Sequence, residues 1–170
     1  MTIKKANRGF TLIEVLIAML VMSLGLLGVA ATLITAMHSA NSNYLKQQAV
    51  QSTYDMADRM RSNFLVASIP NAGNPYVTGP SAPGATAPTP DCTATACTGS
   101  AMAAYDVWQW KEALKNTLPG GLGSITVVPA ATGNKALVTI TVQWSDQPAR
   151  ATFNPTSAVT TATFSVVTQL

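Results

Sequence analysis

The chain has 170 residues, enough for one modest globular domain, but 48% are hydrophobic and only 10% are charged, which is unusual for a freely soluble protein. The formal net charge is +3, and three basic residues near the amino terminus, Lys4, Lys5 and Arg8, account for all of it. A basic surface for binding nucleic acid is therefore not indicated.

The first predicted element is a long apolar helix. The 28 residues from Phe10 to Met37 contain a single charge, Glu14, and would form a helix of about 40 Å, which is long enough to cross a bilayer. The short basic stretch before it has no apolar segment of its own, so it is not an ordinary secretory signal. The positive-inside tendency places this basic end in the cytoplasm and the chain from about Asn41 onward beyond the membrane.

The helical pattern continues past the membrane segment, because no proline occurs before Pro70. Charged and amide residues are interleaved with the apolar ones, which is typical of an amphipathic helix. We predict one helix of about 55 residues, with a transmembrane part over 10–37 and an amphipathic part over 38–68. The apolar residues that continue at helical spacing are Leu45, Ala49, Tyr54, Ala57, Met60 and Phe64.

The segment 69–101 is predicted to be an exposed, irregular loop, since residues 70–99 include six prolines and four glycines. Cys92 and Cys97 lie near its far end, and in an oxidising compartment this spacing favours a small structural disulfide. A metal site is the alternative, but it lacks a second pair of ligands. The chain's one histidine, His38, is far away in sequence.

The segment 102–170 is predicted to hold a short helix and a C-terminal antiparallel sheet. The helix would run from Met102 to Leu118, with Val107, Trp110 and Leu114 on one face. Trp108 lies off that face and is interpreted as filling a neighbouring part of the core.

Alternation with period two then predicts strands. Val138, Ile140, Val142 and Trp144 point one way, and residues 125–127 supply a hairpin partner across a turn at 132–134. A last strand holding Phe164, Val166 and Leu170 follows a looped stretch with Pro148 and Pro155. The fold class is α+β, with the long helix packed on three to four antiparallel strands.

Residues 8–18, with the sequence RGFTLIEVLIA, resemble the amino-terminal signal of type IV pilins and pseudopilins. The resemblance implies that a prepilin peptidase removes the leader 1–9 by cutting between Gly9 and Phe10, and that Phe10 is then N-methylated. It also implies that the Glu14 carboxylate pairs with the amino terminus, at Phe10, of a neighbouring subunit. Such pairing would offset a cost of about 3 kcal/mol for a carboxylate at mid-membrane. The alternative is an unpaired glutamate at the headgroup level.

Two glycines, Gly25 and Gly28, interrupt the apolar helix, and each lowers helix propensity by about 1 kcal/mol relative to alanine. Close packing against a neighbouring helix is one explanation. The other is that this segment loosens when the subunit leaves the lipid for a filament.

Further stretches resemble minor pilins of the PilV group: SLGLLG at 23–28, YDMADRMRSN at 54–63 and YDVWQW at 105–110. This resemblance implies a pilus-tip subunit that helps to start assembly, and so supports twitching motility and adhesion. The implied partners are other minor pilins, the major pilin, the prepilin peptidase, the inner-membrane assembly platform and a tip adhesin. The implied location is the inner membrane, with a periplasmic C-terminal domain, and then the pilus. A minor pseudopilin of a type II secretion system is the alternative.

The sequence gives little support to two other functional classes, an enzyme and a DNA-binding module. No histidine follows His38 and no Gly-x-Ser-x-Gly motif occurs, so no catalytic residue, cofactor or metal is expected. The scattered carboxylates Asp91, Asp106, Glu112 and Asp146 are interpreted as solvated surface groups. DNA binding would depend on four cations, which is thin support: Lys111, Lys115, Lys135 and Arg150.

Overall fold

The structure is a computed structural model that describes residues 9–70, 73–130, 135–146 and 161–170. It confirms the α+β class. The chain divides into two units, one ending at Ala40 and the other spanning Asn41–Leu170. In chain order the elements are α1 (Leu12–Ser62), α2 (Phe64–Ala67), β1 (Thr78–Ser81), α3 (Gly99–Thr117), β2 (Leu122–Pro129), β3 (Ala136–Ser145) and β4 (Thr161–Gln169).

The predicted long helix is present as α1, with 51 residues. Its first turn begins where the backbone N–H groups of Glu14 and Val15 donate to the Thr11 carbonyl. The helix ends at Ser62, earlier than expected, and α2 follows after Asn63. The Asn63 side chain leaves the helix surface to donate to the Gly99 carbonyl at 2.7 Å, so a tertiary contact accompanies the end of α1.

The second half of α1 buries one face in the core of the second unit. Thr53 can be buried on that face because its hydroxyl finds an acceptor within the helix, donating to the Ala49 carbonyl at 2.8 Å. Tyr54 and Phe64, which we expected on the apolar face, are instead about half exposed, at 52% and 50%. The buried residues are Leu45, Ala49, Thr53, Met56, Ala57 and Met60.

The sheet has four antiparallel strands in the order β1-β2-β3-β4. The predicted hairpin is confirmed by the pairings of Ile125 with Ile140 and of Val127 with Val138. The predicted last strand is confirmed by the pairing of Val166 with Ile140. The inward residues of β3 are all buried: Val138, Ile140, Val142 and Trp144. The predicted turn at 132–134 and the stretch with Pro148 and Pro155 lie outside the described residues.

The fourth strand, β1, falls in the segment that we predicted to be irregular and exposed throughout. Its pairing with β2 is short and shifts register between Thr78 and Ser81, which explains why it left no alternating pattern in the sequence. Two residues just before it, Asn74 and Tyr76, are buried. The prediction of an exposed segment is therefore wrong at Asn74 and Tyr76, and the prediction of an irregular one is wrong at 78–81, although residues 79–81 are exposed as expected.

Helix α3 begins at Gly99, three residues before the predicted start. The reason is a cap: the Thr98 hydroxyl accepts the backbone N–H of Ala101 at 3.3 Å. Trp110 and Leu114 are buried as predicted. Gly123 of β2 lies directly under the Trp110 ring, and a Cβ there would overlap that ring.

Candidate functional site

The candidate processing site, Gly9 and Phe10, lies just before the first turn of α1. Residues 9–11 have no regular secondary structure, and Phe10 is 84% exposed. The bond between Gly9 and Phe10 therefore lies outside the helix, at an exposed position. The basic residues Lys4, Lys5 and Arg8 lie outside the described residues.

Glu14 lies in the first turn of α1 on an otherwise apolar face. A negative charge there interacts favourably with the helix dipole, by about 0.3–1 kcal/mol, which does not offset the cost of placing it in lipid. Among the described residues no cation forms an ion pair with it, since the four ion pairs all lie beyond residue 54. The side chains that share its surface are Phe10, Val15, Ala18, Met19 and Met22.

The apolar part of α1 is long enough, and apolar enough, to cross a membrane. It contains an 18-residue window with a mean hydropathy of 2.5, none of which is buried within the chain. The helix is continuous through Gly25 and Gly28, and a Cβ on either would meet nothing within 4 Å. Packing inside this chain therefore requires neither glycine. Close packing against a neighbouring helix and loosening of the segment in a filament both remain as explanations.

Two protein-family models match the sequence. Residues 4–30 match the model described as the prokaryotic N-terminal methylation motif, and residues 31–108 match the model described as type IV pilin Tt1218. The chain belongs to the type IV pilin superfamily. No curated protein and no solved structure matches it significantly. The first match spans Gly9, Phe10 and Glu14, and the second ends within α3.

Superfamily membership and the long apolar helix fit a membrane-anchored pilin that ends up in a pilus. Pilins form filaments by assembling with other pilins, with the help of membrane machinery. Membership of a family of structural proteins favours an architectural role for this chain over a catalytic one.

The pilin's second unit is held together by a buried polar network that sequence reasoning missed. Arg59 donates to Asp106 at 3.2 Å, and the Tyr76 hydroxyl donates to the other oxygen of Asp106 at 3.0 Å. The Asn63 amide donates to the Tyr76 oxygen at 3.2 Å. These contacts join α1, the segment before β1 and α3. One signal was available: Tyr76 is the only aromatic residue between Phe64 and Tyr105.

Burial raises the pKa of the Tyr76 phenol, and the Asp106 carboxylate beside it acts in the same direction. The Asn63 amide lowers the pKa, but by less than burial raises it. The phenol is therefore a hydrogen-bond donor across the physiological range. Asn74 fixes the backbone at this point, since its amide donates to the carbonyls of Val66, Ala67 and Ile69.

The structure joins Cys92 and Cys97 in a disulfide with a Cα–Cα distance of 5.5 Å. The bridge lies directly before the Thr98 cap of α3. Asp91 precedes it and accepts hydrogen bonds from the Thr93 hydroxyl and backbone N–H, which lower the pKa of its carboxyl. The bridge therefore constrains the backbone directly before the first turn of α3.

The structure corrects our interpretation of the scattered carboxylates as uniformly solvated. Asp106 is 8% exposed, and Asp146 is 5% exposed and accepts a hydrogen bond from Ser42 at 3.2 Å. Asp106 was missed because its partners, Arg59 and Tyr76, are distant in sequence. Asp91, by contrast, is exposed as predicted.

Our interpretation of Trp108 as a core residue is also wrong. It is only partly buried, its indole N–H donates to the Gly84 carbonyl at 3.0 Å, and its ring lies 5.9 Å from that of Tyr105. Trp108 therefore holds the loop after β1 against α3.

Lys111, one of the four cations considered for DNA, is buried and does not present its charge to a phosphate chain. Lys111 is 5% exposed, and the exposed Lys115 lies 3.6 Å from the Glu112 carboxylate. Lys135 is exposed, and Arg150 lies outside the described residues. Among the described residues, Lys115 and Lys135 are therefore the exposed members of this group.

Proposed function

We propose that this chain is a minor type IV pilin, a low-abundance subunit of the tip or priming complex that helps to initiate pilus assembly. Through assembly it would support twitching motility and adhesion. The observation that carries this proposal is a pilin signal opening an apolar helix that has no buried residue before Ala40. Such a helix needs lipid or other subunits around it.

In this proposal the peptidase cuts between Gly9 and Phe10, releases residues 1–9, and the new amino group of Phe10 is methylated. The exposure of Phe10 and the absence of regular structure at 9–11 support cleavage at this position. Glu14 then pairs with the amino terminus of a neighbouring subunit. A carboxylate on an apolar face without a partner among the described residues supports that role, since pairing would lower its desolvation cost.

We further propose that the chain has a membrane anchor and a periplasmic part. Residues 10–37 anchor the precursor in the inner membrane and later form the filament core, while the chain beyond residue 40 lies in the periplasm before assembly. The disulfide between Cys92 and Cys97 supports an oxidising compartment. The proposed partners are the major pilin, other minor pilins, the inner-membrane assembly platform and a tip adhesin. No enzymatic activity is proposed.

The assignment to the PilV group depends on the resemblance at 23–28, 54–63 and 105–110. Two of these stretches supply the buried network, since Arg59 lies in the second and Asp106 in the third. A minor pseudopilin of a type II secretion system would share the signal and the carboxylate.

A deletion strain tests the proposal. Surface pili and twitching would be scored beside secretion of a folded exoprotein, with complementation by the unaltered gene as the control. We expect few or no pili, no twitching and normal secretion. Normal pili with blocked secretion would contradict the pilus role and favour the pseudopilin.

A further inference from the structure

A pocket of about 520 Å³ lies between the α3 helix and the segment 78–89. This volume is in the range of small-ligand sites. One wall is β1 with the loop that follows it, and the other is formed by α3 residues, including Trp108 and Lys111. The hydrogen bond from the Trp108 indole to the Gly84 carbonyl holds the two walls together.

Lys111 is a buried cation in this wall without a carboxylate partner among the described residues. Its ammonium donates to the Thr78 hydroxyl at 2.7 Å, the Gly79 carbonyl at 2.9 Å and the Ser81 hydroxyl at 2.8 Å. All three acceptors are neutral, so the positive charge is solvated but not neutralised. Burial lowers the pKa of Lys111, which is the direction expected for such a group.

The two hydroxyls that accept from Lys111 become polarised donors. A serine hydroxyl that accepts from an ammonium turns its own proton away from it. Within the described part of the chain the Ser81 hydroxyl has no acceptor of its own, and Ser81 lines the pocket. The pocket thus offers a donor strengthened by a cation, and none of its lining residues is acidic.

The remaining lining suits a sugar ring. Thr86 and Thr89 add further hydroxyls, and Trp108 adds an aromatic surface. Hydroxyl groups satisfy the hydroxyls of a sugar, and an indole packs against its apolar C–H face. A simple anion would use only the Lys111 side of the pocket, and a neutral sugar only the rest.

We propose that this pocket binds an acidic monosaccharide unit, a uronate or similar carboxylate-bearing sugar, with the carboxylate near Ser81 and Lys111. The inference concerns the second unit alone. It holds whether the chain serves a pilus or a secretion system, so its failure would leave the proposed function untouched.

The test uses the full chain, labelled with ¹⁵N-tryptophan, in a non-ionic detergent. The three tryptophans give three indole N–H signals, and Trp108→Phe assigns that of Trp108. The probe is methyl β-D-glucuronide, with methyl β-D-glucoside and sodium acetate as the neutral-sugar and anion-only arms at constant ionic strength. We expect the glucuronide to shift the Trp108 signal saturably at millimolar concentration and to leave Trp110 and Trp144 unmoved. The glucoside should bind at least about tenfold more weakly.

Variants separate binding from folding. Ser81→Ala should weaken glucuronide binding by about fivefold to tenfold, while Ser165→Ala, on the exposed face of β4, should bind as the parent does. Lys111→Gln should abolish binding if its spectrum remains native, and Ser81→Ala decides the matter if it does not. No saturable Trp108 shift, equal binding of the glucoside, an equal effect of acetate, or parental binding by Ser81→Ala would each overturn the proposal.

Discussion

The two halves of α1 form one continuous helix but are built for different surroundings. Up to Ala40 the helix buries no side chain in the chain, whereas beyond Asn41 it buries six. Apart from Glu14, the first half is mostly apolar on every side and packs only against lipid or neighbouring subunits, while the second packs against its own sheet and α3. Changes in the first half should therefore alter assembly, and changes in the second should alter folding.

The largest expected effect comes from Glu14→Gln, which keeps the side-chain size and removes the charge. We expect normal leader removal but at least about tenfold less subunit in sheared filaments, because the pairing with a neighbouring amino terminus is lost. Amino-terminal sequencing of the membrane fraction and immunoblots of sheared pili measure the two steps. Glu112→Gln, outside the anchor, is the control and should assemble normally. Normal incorporation of Glu14→Gln would remove the assembly role of the carboxylate.

The next largest effect should come from Asp106→Ala in α3, because Asp106 accepts a hydrogen bond from Arg59 in the second half of α1. Its side chain is 11% exposed and accepts from both Arg59 and Tyr76, so we expect a loss of about 2–3 kcal/mol of unfolding free energy. Denaturant unfolding of the full chain in detergent, followed by tryptophan fluorescence, measures it. Asp58→Ala removes an exposed ion pair with Arg61 and should cost no more than about 0.5 kcal/mol. Equal losses in the two variants would contradict the importance of the buried network.

A smaller effect is expected from Gly123→Ala. The added methyl group would overlap the Trp110 ring, and overpacking of this kind costs about 1–3 kcal/mol. Gly79→Ala is the matched control, since a Cβ there meets nothing within 4 Å. The same unfolding assay compares them. A Gly123→Ala protein as stable as the parent would show that the Trp110 ring can move aside.

The smallest effect is the pH dependence that Tyr76 contributes. Because its pKa is raised in the folded state, the folded protein keeps a proton that the unfolded chain loses above about pH 10. This contribution is complete below pH 10 and declines as the pH rises further, by up to about 1.4 kcal/mol per pH unit. Tyr76→Phe should be less stable at neutral pH and lack this decline.

Unfolding free energies between pH 7 and 11 for the parent, Tyr76→Phe and Tyr54→Phe provide the measurement. Tyr54 lies on the exposed side of α1, so its variant should follow the parent. A stability difference between the parent and Tyr76→Phe that stays constant up to pH 11 would contradict the burial of an un-ionised phenol.

An element could be predicted from the sequence when it repeats an apolar pattern along the chain, and could not when it depends on residues distant in the sequence. The long helix and the paired strands β2, β3 and β4 were predictable, because each repeats an apolar pattern over many residues. Strand β1 was not, since four residues with a register shift leave no pattern. The start of α3 was misplaced because the Thr98 cap carries less weight in a sequence than the apolar stripe that follows it.

The sequence by itself determined the signal around Gly9, Phe10 and Glu14, because that signal is read along the chain rather than built by folding. It also determined the long helix α1, the helix α3 and the three paired strands β2, β3 and β4, though not β1. Only the tertiary structure decided that Tyr76, Asp106 and Lys111 are buried. Each of these polar groups is tolerated inside because partners distant in the sequence meet it there, and such meetings leave no periodic trace.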